Sequence, residues 1–304
     1  MNISFLIFII TLSFPLFLFA GEDESKPSAI FNSKERLNHI KKKYDSLLDK
    51  KYILLPHSGI YLIPFSYNFN PNNKSYSSLT STPELSGRGK YNKNLETELQ
   101  ISFMFLITRN IFNFGFNIFA GYTHRAWWQV YNKEWSRPFR ETNYEPEIFA
   151  RKIFDEPKSI VGGKLVAYDF GLIHQSNGQV QELSRSWNRI FLRFAIIFHE
   201  TFINTSIWYR LPDAIDKDDN HDIHHYLGYG SIEINQNFFK SRMQLKIIPG
   251  TKKQGLELSC SYPWNEGLRY FIKVGYGYGL SLIDYKNEEQ RIGIGMALSD
   301  LFSQ

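Results

Sequence analysis

Apolar and polar residues alternate with a period of two over much of the chain after residue 94, which predicts β-strands with two different faces. Between Leu268 and Leu282 the even positions are all apolar or aromatic, whereas the odd positions include arginine, lysine, glycine and serine. Residues 291–298 repeat this alternation. Strands of about ten residues with one apolar face and one small or polar face suit a membrane β-barrel, and about twelve such segments suit a closed antiparallel one.

The connections between these segments differ in length, and this separates a barrel from a soluble β-sandwich, which also alternates. Long outer loops and short periplasmic turns are typical of outer-membrane barrels. The long links are predicted near 70–94, 132–143, 177–186 and 212–223, and the short links near 109–113, 154–158 and 199–201. The sequence therefore predicts an all-β fold, a single antiparallel transmembrane barrel of about twelve strands.

The N-terminal part does not follow this pattern. Residues 1–20 are apolar and precede an acidic stretch, which predicts a cleaved secretory signal; a retained membrane anchor is the alternative. Residues 21–54 are interpreted as a periplasmic lead-in, in which 33–55 has approximately helical apolar spacing and is predicted to pack on the mouth of the domain. Residues 55–304 are assigned to the barrel.

Composition narrows the functional classes. Mean hydropathy is −0.32 although aromatic residues make up 16% of the chain, so a helical membrane protein is not indicated. The net charge of +5 is spread along the chain without the basic arm of a nucleic-acid-binding protein. One cysteine allows neither an internal disulfide nor a cysteine-based zinc site.

Candidate chemistry lies in the stretch YDFGLIHQSNGQVQELSRSWNR, residues 168–189. Period-two spacing places His174 and Ser176 on the same face as Phe170 and Leu172, and Asn188 on the equivalent face of the next strand. Polar groups on a lipid-facing wall are costly unless they pair with one another. The His174 imidazole is suited to accept the Ser176 hydroxyl proton, and the Asn188 amide to orient the imidazole, as in a catalytic triad. A rim of interfacial polar residues at a hairpin is the alternative interpretation.

The same block resembles bacterial outer-membrane phospholipase A. The resemblance lies in YDFGLIHQSNG, the following SRSWNR and the preceding SRPFRETNYEP, and it extends more weakly over about residues 55–302. It implies a twelve-stranded barrel in the bacterial outer membrane that hydrolyses acyl esters of phospholipids, as a phospholipase A1 and A2 with possible lysophospholipase activity. By matching positions, Ser176 is the expected nucleophile, His174 the base and Asn188 the orienting amide.

The resemblance also implies a cofactor and a partner. The family is calcium-dependent and homodimeric, with acyl chains bound along the subunit interface. By matching positions, Ser184 is an expected calcium ligand, Gln179 the position that supplies its backbone carbonyl, and Ser136 the hydroxyl supplied by the second subunit. Few protein ligands suit a hard cation that keeps several waters. The chain departs from the family at His124, where members carry Gln at a strand position assigned to the dimer interface.

Other polar and aromatic clusters receive simpler interpretations. Residues 213–225, DAIDKDDNHDIHH, begin like a calcium-binding EF-hand loop, but they lack its glycine and its final glutamate and are predicted to form an external polar loop. Trp127 and Trp128 are predicted to be interfacial anchors, and Arg189 a partner of acidic groups inside the barrel.

Two other functional classes remain open on the sequence. A non-catalytic porin or structural barrel would conduct ions and would tolerate replacement of Ser176. A soluble secreted esterase built on a sandwich would partition into buffer instead of detergent. Against a wide pore stands the expectation that charged and aromatic side chains fill a twelve-stranded barrel.

Overall fold

The chain folds as a closed antiparallel β-barrel, seen in a computed structural model that describes residues 41–42, 44–50, 53–73, 92–134, 137–214 and 218–298. The predicted signal and most of the lead-in lie outside these residues, so the proposed domain boundaries stay predictions. No helix within the described ranges has the length and apolar character needed to cross a membrane. The strands of the described residues are β1 Leu55–Pro56, β2 Tyr61–Asn68, β3 Leu95–Ile111, β4 Phe116–Trp128, β5 Phe139–Ile160, β6 Gly163–Ser176, β7 Ser186–Phe198, β8 Thr201–Leu211, β9 Gly230–Phe238, β10 Ser241–Pro249, β11 Gln254–Pro263, β12 Leu268–Gly277 and β13 Glu289–Leu298.

Strands β2 to β13 form the barrel, because each pairs with its neighbour in sequence and β13 returns to pair with β2. All these pairs are antiparallel, and β1 adds two residues beside β3. The predicted fold class and the strand number are therefore confirmed. Closure removes the unpaired strand edges that a membrane interior does not tolerate.

Long and short connections follow one another as predicted as far as β10, although the long link expected near 132–143 ends before β5 begins at Phe139, and the connection 250–253 is as short as 264–267. The short turn expected near 154–158 is wrong, because β5 continues to Ile160 and turns only at 161–162. The alternation that runs to Leu282 does not continue as a strand, because β12 ends at Gly277 with φ of +99°. Residues 278–288 form a long loop instead. Its apolar residues Leu280, Leu282, Ile283 and Tyr285 are buried in the barrel mouth, and the first two continue the alternation of β12.

Side chains separate by parity between lipid and lumen. On β6 the outward Phe170 and Leu172 are 51% and 49% exposed, whereas the inward Asp169 and Gly171 are buried. Odd positions on β12 and β13 face the interior, as the burial of Arg269, Lys273 and Arg291 shows. Apolar side chains thus form the outer wall along the membrane.

Ion pairs fill the lumen. Glu98 accepts hydrogen bonds from Arg125 at 2.9 Å and from Lys273 at 2.8 Å, and both cations also contact Glu257. A second cluster of charged residues lies nearby: Glu96, Arg140, Asp284, Glu289 and Arg291. A charged interior packed in this way argues against a wide channel through the described barrel.

Trp127 lies inside this lumen, so its predicted role as an interfacial anchor is wrong. Its indole is 1% exposed, and the Arg125 guanidinium lies 4.7 Å from its ring centroid. Adjacent residues on a strand must face opposite sides, so only one of two consecutive tryptophans can face lipid. Trp128 faces outward and stacks on Phe139 at 5.2 Å between ring centroids.

The described part of the lead-in packs into the end of the barrel opposite the loop 278–288. Residues 41–42 and 44–48 are helical. Tyr44 and Leu48 join Leu55 in an apolar cluster with inward residues of the barrel, as the predicted packing on the mouth requires. The barrel residues in this cluster are Met104, Phe119, Phe149 and Phe191.

Candidate active site

The predicted triad residues lie on the hairpin formed by β6 and β7. In the register of this pair His174 lies opposite Asn188, and Ser176 lies opposite Ser186. All four side chains share the outward face and are half-buried. The hairpin therefore places its polar residues at the loop end of an otherwise apolar outer wall, as the period-two pattern predicted.

His174 and Asn188 are joined by a hydrogen bond of 2.9 Å between Nδ1 and Oδ1. An amide oxygen only accepts, so this contact fixes the tautomer in which Nδ1 carries the proton and donates it. The Nε2 nitrogen of the ring is then left with a lone pair. This tautomer is the one that a general base needs in order to accept a hydroxyl proton.

Ser176 completes the cluster in sequence but makes no hydrogen bond to the His174 ring among the described contacts. Its neighbour on the other side is Tyr144 of β5, which lies opposite Ser176 in the strand register. The Tyr144 ring in turn packs edge-on against His124 at 5.1 Å between centroids. Ser176 thus lies between the His174–Asn188 pair and the packed rings of Tyr144 and His124.

Polar contacts behind the hairpin hold it from the lumen side. Gln175, between the base and the nucleophile in sequence, points inward and accepts a hydrogen bond of 2.6 Å from Trp187 Nε1. Its amide nitrogen donates to Glu145 at 3.0 Å. Arg189 lies over the Trp187 ring at 3.9 Å and contacts Glu145 at 3.8 Å, which confirms its predicted acidic partnership in the lumen. The strand that carries the candidate triad is therefore anchored to its neighbours.

The predicted calcium-binding residues are only partly described. Ser136 lies outside the described residues. Gln179 lies in the loop 177–185, and the Ser184 hydroxyl donates a hydrogen bond of 2.5 Å to Asp219. No group of three or more histidine, cysteine or acidic side chains suited to hold a metal occurs in the described part of the chain. Asp219, the partner of Ser184, was not among the residues predicted for this site.

The segment 218–229, which includes the helix His224–Leu227, contacts the hairpin at a second residue besides Asp219. Asn220 is fully buried and accepts a hydrogen bond of 3.0 Å from the backbone N–H of Ser186. The run of two aspartates and an asparagine at 218–220 could have indicated these contacts, since an acidic and amide-rich segment in an outer loop can cover a polar site. The predicted loop 213–225 lies between β8 and β9, but its last two residues begin the helix His224–Leu227 and Asn220 contacts the candidate site; its external position stays a prediction.

The profile of the phospholipase A1 family matches residues 37–298. The chain belongs to this family. A putative phospholipase A1 of Neisseria meningitidis is 36% identical over 253 residues, and these cover 81% of the chain but 65% of the relative. The phospholipase A1 of Proteus vulgaris is 34% identical, with 84% of each protein covered, and that of Escherichia coli strain K12 is 36% identical over 68% of the chain and 71% of the relative.

Solved structures of phospholipase A1 relatives share the fold. Outer membrane phospholipase A of Escherichia coli, as an active-site mutant, superposes with a TM-score of 0.76 at 31% identity, covering 88% of this chain and 99% of that one. The outer membrane phospholipase dimer of Salmonella typhi, with bound calcium, gives 0.75 at 30% identity, covering 84% and 97%. The resemblance stated from the sequence is confirmed, and the chain is an outer-membrane β-barrel of the phospholipase A1 family.

Proposed function

We propose that this barrel hydrolyses acyl ester bonds of phospholipids in the outer membrane, with Ser176 as nucleophile, His174 as base and Asn188 as orienting amide. The observation that carries the proposal is the 2.9 Å contact between His174 Nδ1 and Asn188 Oδ1 on the outer wall, two residues from Ser176. Relatives named phospholipase A1 support the substrate class. Activity at the sn-1 and sn-2 esters, and on lysophospholipids, belongs to the same proposal.

The reaction follows from the protonation states that this pair allows. His174 Nε2 takes the hydroxyl proton as Ser176 Oγ attacks the ester carbonyl, and Asn188 Oδ1 stabilises the imidazolium that forms. His174 then donates this proton to the leaving alcohol, and an acyl-Ser176 remains. Water attacks the acyl group after His174 removes its proton, which releases the fatty acid and restores the serine. The backbone N–H of Ser176 is the donor that we assign to the developing oxyanion.

Calcium is part of the proposal, with Ser136, Gln179 and Ser184 as its protein ligands. The donor chemistry fits, because Ser184 and its neighbour Asp219 offer oxygens, which hard cations prefer. When bound, calcium supplies positive charge beside the oxyanion. Ser184 and Gln179 would hold it through the loop that begins directly after Ser176.

Homodimerisation completes this proposal, because Ser136 is assigned to the calcium site of the second subunit. A solved relative, the Salmonella typhi enzyme, is a dimer with bound calcium. His124 lies on the same outer wall, two strands from Ser176, where a dimer contact would place it beside the substrate. A site divided between subunits would keep the monomer inactive.

The test is fatty-acid release from phospholipid in mixed micelles, measured for the parent, Ser176→Ala and Ser186→Ala, each with calcium and with a chelator. Ser186 is the matched control, since it is the outward, half-buried serine opposite Ser176. We expect calcium-dependent release by the parent and by Ser186→Ala, and none by Ser176→Ala. A folded parent that releases no fatty acid under either condition would support the non-catalytic barrel instead.

A further inference from the structure

The loop 177–185 joins the nucleophile strand to the strand of Asn188, and one side chain organises it. Asn177 follows Ser176 directly and is 2% exposed. Its backbone N–H donates to the carbonyl of Arg185 at 3.0 Å, which closes the base of the loop. A buried amide must find partners for its donors and its acceptor, so its contacts show what it holds.

Those partners are mostly backbone groups of the same loop. Asn177 Oδ1 accepts from the N–H of Arg185 at 2.9 Å and of Gln179 at 3.3 Å. Its Nδ2 donates to the carbonyl of Leu183 at 2.9 Å and lies 3.5 Å from Glu141 Oε2. One side chain therefore fixes three backbone groups on both sides of the turn Gln181–Leu183.

Glu141 ties this arrangement to the barrel. Its carboxylate is fully buried and accepts the N–H of Ile283 at 3.0 Å and an amide hydrogen of Asn143. Asn177 and Asn143 are thus two buried amides on one carboxylate. Asn177 serves the loop beside Ser176, whereas Asn143 accepts the N–H of Leu282 and serves the loop 278–288.

We propose that Asn177 is a positioning residue for the reaction: it shapes the loop 177–185 so that the Gln179 carbonyl and the Ser184 hydroxyl are presented together to calcium. This inference rests on the proposed function. A backbone carbonyl can serve as a ligand only where the chain is held in one conformation, and Asn177 contacts the backbone at 179, 183 and 185. Without it the loop must be ordered by calcium itself, so binding weakens while the triad stays intact.

The experiment compares Asn177→Ala with Asn143→Ala, which removes an equally buried amide from the same carboxylate but not from this loop. Hydrogen–deuterium exchange of calcium-free protein in detergent should show faster exchange at residues 179–185 in Asn177→Ala only. The calcium concentration for half-maximal phospholipid hydrolysis should rise about tenfold or more in Asn177→Ala, equivalent to about 1.4 kcal/mol, with kcat at saturating calcium changed less than about threefold. The Asn143→Ala variant should keep the parent calcium dependence.

Asn177→Asp is a second variant, because it keeps the acceptor for the two backbone N–H groups and replaces the donor that faced the Leu183 carbonyl and Glu141 by a carboxylate oxygen. It should show faster exchange near Leu183 and a smaller rise in calcium requirement. Parent-like exchange and calcium dependence in every folded Asn177 variant would overturn the inference, as would an equal effect of Asn143→Ala. A parent without calcium-dependent hydrolysis would instead reject the proposed function, and the positioning role with it.

Discussion

Removal of the Asn188 amide tests the orienting contact directly. Asn188→Ala eliminates the single described partner of His174 Nδ1, at 2.9 Å, and leaves Ser176, the loop 177–185 and the strand register in place. The imidazole then loses both its preferred tautomer and its fixed ring plane. We expect the chemical step to slow while phospholipid binding along the outer wall is unchanged.

The size of the effect follows from the change in charge on His174. A hydrogen bond between neutral groups contributes about 0.5–1.5 kcal/mol, whereas one to a charged group contributes about 1.5–3 kcal/mol. His174 is neutral before proton transfer and cationic afterwards, so the contact gains about 1–1.5 kcal/mol on reaching the transition state. Each 1.36 kcal/mol is tenfold in rate, and lost orientation adds to it, so kcat should fall about 10- to 100-fold.

The assay is initial-rate hydrolysis of a phospholipid in mixed micelles at saturating calcium, with kcat and KM determined separately. Heat-modifiable migration in gels shows whether each variant retains the barrel. Asn188→Asp, which keeps an acceptor oxygen in place, should retain more activity than Asn188→Ala. A folded Asn188→Ala variant with kcat within twofold of the parent, or with a change confined to KM, would refute the orienting role.

Further predictions concern the lumen, the outer loops and the calcium loop. Glu147→Ala should lower the free energy of unfolding by about 3 kcal/mol, because Arg193 loses a buried partner at 2.9 Å; urea unfolding in detergent measures this, and a loss below about 1 kcal/mol would contradict it. Burial raises the pKa of Asp222, but hydrogen bonds from Tyr285 and Lys286 outweigh this and lower it, so its contribution is present above the ordinary value of 3.8 and is lost as pH falls through the lowered pKa. Tyr285→Phe should therefore destabilise the protein by about 1 kcal/mol at neutral pH and by less in acid, and a thermal-unfolding difference that does not shrink in acid would argue against it. Ser184→Ala should raise the calcium concentration for half-maximal hydrolysis while the barrel stays folded, and an unchanged calcium titration would remove Ser184 from the site.

Much of the barrel could be predicted because strand parity is a local property of the sequence. The placement of His174, Ser176 and Asn188 on one face needs only a period of two and the rule that arginines point into the lumen. The same alternation predicts that Trp127 faces the lumen. That position was missed because Trp127 and Trp128 were assigned the same role, although consecutive strand residues face opposite sides. Which face of a strand a side chain occupies can therefore be predicted from the neighbouring residues in the sequence.

The remaining features depend on contacts between distant parts of the chain. The hydrogen bond between Ser184 and Asp219 spans 35 residues, and the contact of Glu141 with Ile283 spans 142. The loop 278–288 continues the alternation of β12 through Leu280 and Leu282, but the barrel mouth buries every residue from 280 to 285, including the polar Ser281 and Asp284. The sequence pattern alone does not distinguish apolar residues buried in the barrel mouth from apolar residues that face lipid. The closed barrel shows which case applies.

The outward position of the candidate triad has a consequence for enzymology. If the proposed triad of His174, Ser176 and Asn188 on the outer wall is the active site, its substrate would reach it by lateral diffusion within the leaflet, because charged side chains pack the lumen. The relevant substrate variable is then the mole fraction of phospholipid at the surface, and dilution with inert detergent should slow hydrolysis at constant bulk concentration. The released fatty acid would remain in the same layer. It would accumulate near the enzyme and compete with phospholipid for the outer wall.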